Sequence, residues 1–82
     1  MRMRMSFENR RDTVFKIVIE PAADSFNLKP GEKLTLEFDC DDPAEPLNAE
    51  LHDGCLTLWP NARSEVDFLI DGKRANNRSW RD

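Results

Sequence analysis

Long hydrophobic runs are missing from this chain of 82 residues. The longest uninterrupted apolar stretches span only residues 17–19 and 68–70, whereas a membrane-spanning helix needs about 20 apolar residues. The basic stretch at residues 1–5 is followed by charged residues rather than by the apolar segment of a signal peptide. We therefore expect a cytoplasmic protein that makes no contact with a membrane.

Histidine and cysteine are also scarce, with one histidine and two cysteines in the chain. Two cysteines do not provide the dense disulfide framework of a small secreted domain, which agrees with a cytoplasmic location. A structural zinc site takes a full tetrahedral set of ligands, of which Cys40, His52 and Cys55 supply three at most. We accordingly expect neither a metal nor another cofactor.

Charge is unevenly distributed along the chain, although the formal net charge is only −4. Residues 1–16 carry a net charge of +3, residues 17–72 carry −10, and residues 73–82 carry +3. This pattern excludes a uniformly basic nucleic-acid binder and a simple acidic tail. We expect the two basic ends either to neutralise the negative charge of the acidic body or to contact a partner.

No apolar period of 3.6 residues is present, and alternation of apolar and polar residues predicts strands instead. We predict an all-β fold, a small antiparallel β-sandwich or barrel of six to seven short strands. The organisation expected is a flexible basic arm at residues 1–12, a single β domain at 13–76 and a C-terminal tail at 77–82. The predicted strands span residues 13–21, 24–28, 33–39, 47–52, 55–59, 65–70 and 73–75.

Three dipeptides mark the turns. Pro30-Gly31 suits a type II turn, because glycine accepts the positive φ required at the third position. Asp53-Gly54 predicts a hairpin with a two-residue type I′ turn, and Asp71-Gly72 predicts a second hairpin.

Counting outward from Asp53-Gly54 gives the register of the central hairpin. His52 then lies opposite Cys55, and Trp59 lies on the outer face with Glu50. The inner face is expected to carry Ala49, Leu51, Leu56 and Leu58.

One part of the chain resembles a known class of protein. The segments IVIEP at residues 17–21 and LKPGEKL at residues 28–34 resemble the opening of small cupredoxin-like and other short all-β bacterial proteins. The resemblance implies a sandwich that begins with a strand, a Pro-Gly turn and a second strand. It implies no functional residue, because a blue-copper site needs two histidines, a cysteine and usually a methionine. This chain has one histidine, and its methionines all lie within residues 1–5.

Two sets of residues are candidate sites. His52 and Cys55 form a possible reactive thiol pair, since an imidazole beside a thiol can activate it; alternatively they are ordinary strand-end residues beside a tight turn. Trp59 and Trp80 are possible interface anchors, with Arg78 and Arg81 flanking Trp80. Trp59 is expected to be covered either by the C-terminal tail or by another subunit.

Three functions follow from these residues. A chain this short has little core to enclose a substrate cleft of about 300–1,000 Å³, so we expect a non-enzymatic interaction module that self-associates or docks on a protein partner. The first alternative is an accessory nucleic-acid-binding protein that uses the basic ends, which the acidic body disfavours. The second is a small metal or thiol protein that uses His52 and Cys55.

Overall fold

The fold is an all-β sandwich of two four-stranded sheets, seen in a computed structural model that describes residues 1–75. The sheets have the strand orders β1-β4-β7-β8 and β3-β2-β6-β5. Within residues 1–75, no helix has the length and hydropathy needed to cross a bilayer. The eight strands are β1 (Arg2–Glu8), β2 (Phe15–Ile19), β3 (Asp24–Leu28), β4 (Lys33–Asp39), β5 (Leu47–His52), β6 (Cys55–Pro60), β7 (Asp67–Ile70) and β8 (Lys73–Arg74).

The core lies between the two sheets and is built from alternate residues of the strands. The rings of Phe26 and Phe68, one from each sheet, contact each other with centroids 4.9 Å apart. Cys40 follows β4, continues the alternation of its inner face and is buried. The buried apolar residues are Ile17, Ile19, Phe26, Leu28, Leu34, Leu36, Phe38, Cys40, Leu58 and Ile70.

Most pairing is antiparallel, as the alternation predicts, but β2 and β6 are paired in parallel. The reason is the path of the chain, which passes through β4 of the other sheet before β5 and β6 return beside β2. Strands β3 and β4 have the predicted bounds. The predicted register of the β5–β6 hairpin is confirmed, with His52 opposite Cys55 and Asn48 opposite Trp59.

The type I′ turn predicted at Asp53-Gly54 is wrong. A type I′ turn needs positive φ at both central residues, and in this hairpin only Gly54 has it, at 71°. Both residues of the other turn meet the requirement, with φ of 51° at Asp71 and 81° at Gly72. Asp71 is held by Lys33, whose backbone N–H donates to its carboxylate and whose carbonyl accepts from its N–H, each at 2.9 Å.

The flexible arm predicted at residues 1–12 is corrected by strand β1, which pairs with β4 along its whole length. The stretch alternates fully: Met3, Met5 and Phe7 pack against the core while the residues between them face solvent. The N-terminal segment is therefore part of the folded body. Methionine and arginine are not favoured in strands, which conceals a pattern that the spacing alone would have shown.

Candidate interaction surface

Strand β5 is an edge strand whose residues are exposed on both faces. Every residue after Leu47 is solvent-exposed, and Leu51 is 80% exposed. The predicted register of Ala49 and Leu51 with β6 is right, but the prediction that these two side chains pack in the core is wrong. Alternation places these side chains on the inner face, but no other part of residues 1–75 covers that face at the edge of the sheet.

The backbone of β5 also has N–H and C=O groups at this edge that pair with no other strand of the described part of the chain. In an antiparallel ladder, hydrogen-bonded and non-hydrogen-bonded pairs alternate, and the residues that flank a two-residue turn form a bonded pair. The N–H of Asn61 donates to the carbonyl of Pro46 at 2.9 Å, which fits the same alternation. The residues whose backbone groups point to the open edge are then Leu47, Ala49 and Leu51.

Trp59 lies beside this edge on the outer face of the same sheet, as predicted. It is 41% exposed, and its indole Nε1 donates a hydrogen bond of 2.8 Å to Oε1 of Glu50 on β5. The bond holds the indole against the outer face of β5. The other predicted anchors, Trp80, Arg78 and Arg81, lie outside the described residues.

His52 and Cys55 are brought opposite each other at the end of the β5–β6 hairpin. His52 is exposed and Cys55 is half-buried. Cys40 is buried, and its backbone forms an isolated antiparallel β-bridge with Ala62. Both cysteines are free thiols. Within residues 1–75, no group of three or more histidine, cysteine or acidic side chains is placed to hold a metal ion.

Some of the positive charges of the N-terminal segment contact carboxylates of the acidic body, whereas Arg10 pairs with Glu8 of its own segment. Arg2 contacts Asp67 at 3.0 Å and Arg4 contacts Glu37 at 3.4 Å. The Met1 ammonium donates a hydrogen bond of 3.1 Å to a carboxylate oxygen of Asp39. This hydrogen bond, together with the positive charge of the ammonium, lowers the pKa of Asp39 below its usual value. The positive charge of the N-terminal segment is thus partly neutralised by carboxylates of the same molecule.

No family model, curated protein or solved structure matches this chain. The resemblance of residues 17–34 to cupredoxin-like proteins accordingly stays a prediction.

Sequence reasoning missed the openness of β5, although the segment carries a signal of it. Its sequence LNAELH has only two large apolar residues, whereas β4 places three on its inner face. A strand with so little apolar surface is typical of a sheet edge.

Proposed function

We propose that the protein is a non-enzymatic interaction module whose open edge strand β5 accepts an extended strand, first of all that of a second copy of the chain. The observation that supports this most is Leu51, a large apolar side chain that is 80% exposed on an edge with which no other strand of residues 1–75 pairs. Unpaired backbone groups along such an edge are a template for strand addition. A cytoplasmic location belongs to the same proposal.

The other edges are poorer templates. Strand β1 carries Arg2, Arg4 and Glu8 on its exposed face, and charged side chains on an edge discourage pairing. No residue of β3 is solvent-exposed, and β8 has only two residues. Of the edges formed within residues 1–75, β5 with six residues is longer than β3 and β8, and it carries less charge than the seven residues of β1.

A self-complementary register supports pairing of two copies. If two β5 strands run antiparallel about Ala49, Leu47 of each copy lies opposite Leu51 of the other, and Asn48 lies opposite Glu50. The apolar residues then meet across the strands, and the two Glu50 carboxylates are not directly opposed, which favours the pair. The backbone N–H and C=O groups that face the edge then hydrogen-bond to those of the other copy. The β3-β2-β6-β5 sheet of one copy and that of the other become one continuous sheet.

The test is light scattering coupled to size-exclusion chromatography, from micromolar to millimolar protein. We expect a monomer–dimer equilibrium that persists at high salt, because backbone and apolar contacts carry it. Leu51→Lys should abolish the dimer, since it places a cation on the edge. Val14→Lys is the matched control, because Val14 is also an exposed apolar residue but lies outside every strand. A strict monomer at every concentration would contradict the proposal.

Nucleic-acid binding through the basic ends is the weaker alternative. Arg2 and Arg4 are engaged with carboxylates of the folded body, so binding phosphates would require these contacts to be exchanged. The thiol alternative has the observed pairing of His52 with Cys55 in its favour, and half-burial of Cys55 leaves part of that residue accessible.

A further inference from the structure

A cavity of about 360 Å³ lies at the end of the sandwich where β2 and β6 finish. Its walls are largely apolar and come from both sheets, including Ile19, Pro60 and Phe68. The volume lies within the range of about 300–1,000 Å³ found for small-molecule sites. The cavity is separate from the exposed edge of β5.

Glu20 is one of the residues that line this cavity. Its position is fixed because its backbone N–H donates to the carbonyl of Leu58 at 2.8 Å, which extends the β2–β6 pairing. The Oε1 atom of Glu20 is buried and has no hydrogen-bond partner within residues 1–75. A carboxylate with one oxygen buried and without a donor is poorly solvated, so a cation that pairs with this carboxylate would gain from binding here.

The charge around the cavity selects the kind of donor. Among residues 1–75, its lining contains a second carboxylate, Glu65, and one hydroxyl, Ser64, but no lysine or arginine. Arg63, next in sequence, points its guanidinium to Asp41 at 3.7 Å. A cation is therefore favoured over a neutral or anionic ligand, and the apolar walls favour a cation that carries a hydrocarbon body over a hydrated metal ion, which prefers several oxygen ligands.

We propose that this cavity binds a small organic cation, a protonated amine on an aliphatic or aromatic body, with Glu20 as its counter-ion. The ammonium pairs with the carboxylate of Glu20, and the hydrocarbon body packs against Pro21, Val66 and Phe68. This site does not depend on strand pairing at β5, and its test is independent of the oligomeric state.

The probes are 2-phenylethylamine and 2-phenylethanol, which share the hydrocarbon body and differ in the charged group. Backbone amide NMR of the full chain should show saturable shifts for the amine at residues 20, 22, 64 and 66. The alcohol should bind about tenfold more weakly, because a charge-assisted hydrogen bond is lost. Equal affinities for the two probes, or shifts confined to β5, would overturn the proposal.

Glu20→Gln tests the counter-ion, since it keeps the shape and removes the charge. We expect it to weaken the amine about tenfold and leave the alcohol unchanged, while Glu65→Gln, at an exposed residue, has a smaller effect on the amine. Unchanged amine affinity in a folded Glu20→Gln variant overturns the proposal; if that variant does not fold, the comparison of the two probes on the unmodified chain decides. Amine binding seen only in an Arg78→Gln, Arg81→Gln double variant also overturns it, because Glu20 would then pair with the chain's own guanidinium groups.

Discussion

Strands β1 and β5 are each the edge of a four-stranded sheet, yet their side chains meet different surroundings. The inner-face residues of β1, Met3, Met5 and Phe7, pack against the core, whereas in β5 only Leu47 does so. Both strands alternate in sequence, so alternation alone does not distinguish them. What differs is whether the rest of the fold covers the face that alternation selects.

The outer faces differ in the same way. On β1, Arg4 pairs with Glu37, and the hydroxyls of Ser6 and Thr35 are hydrogen-bonded at 2.9 Å across to β4. On β5, the side-chain contact of this kind that the described residues show is the bond from Trp59 to Glu50. A strand whose side chains make contacts on both faces is held in the stable part of the fold, whereas a strand that is exposed on both faces is suited to bind an additional partner.

The largest expected effect comes from Asn9, which follows β1 and fastens its end. Its Nδ2 donates to the carbonyls of Thr13 and Leu28, each at 2.9 Å, and its Oδ1 accepts from the N–H of Arg11. Asn9→Ala should lower the free energy of unfolding by about 3 kcal/mol, because each lost bond contributes about 1 kcal/mol.

Asn48→Ala on β5 is the matched control for Asn9→Ala. Asn48 is exposed, so its loss should change stability by less than about 0.5 kcal/mol. Urea unfolding followed by circular dichroism measures both variants. Equal losses would mean that the two edges are equally fastened, and the comparison would fail.

A smaller effect is expected from truncating one apolar side chain on each edge. Met5→Ala on β1 should cost about 2 kcal/mol, the lower end for buried methionine, because Met5 is half-buried. Leu51→Ala on β5 should cost less than about 0.5 kcal/mol in the monomer. Both variants are unfolded in urea at the lowest practical protein concentration.

The concentration dependence of Leu51→Ala sharpens the result. If β5 pairs with a second copy, this variant should lose stability relative to the parent only as the concentration rises, since association stabilises the folded state by mass action. A large cost at every concentration would show instead that Leu51 is covered within one chain.

Much of this architecture was predictable, and the exceptions have physical reasons. The register of the β5–β6 hairpin was right although the turn type at Asp53-Gly54 was wrong, because the predicted loop length of two residues was right and loop length helps to set which residues face each other. Trp59 was therefore placed on the correct face. Strand β1 was missed because weak β-formers occupy an otherwise regular alternation.

The cavity beside Glu20 was beyond the reach of sequence patterns. Its walls come from residues near 20 and from residues 60–68, which no spacing motif connects. They meet because β2 and β6 pair in parallel, a consequence of the chain's path between the sheets. Likewise, alternation places Leu51 on a face but does not tell how far the opposite sheet extends.

The smallest effect is electrostatic and reports whether the β1 edge is closed up to its first residue. The hydrogen bond from the Met1 ammonium, its charge, and then Arg63 and Arg2 lower the pKa of Asp39. A folded-state pKa below the unfolded-state pKa stabilises the fold at any pH above the unfolded-state pKa, and the stabilisation is lost as the pH falls through the folded-state pKa.

Acetylating the Met1 amine should raise the pKa of Asp39 towards 3.8 and reduce the acid sensitivity of folding. Arg63→Gln should raise it less, because Arg63 acts only through its charge. NMR titration of the Asp39 carboxyl carbon measures both, and a pKa that acetylation leaves unchanged would mean that the edge frays before Arg2, so that β1 and β5 differ less than their side-chain packing indicates.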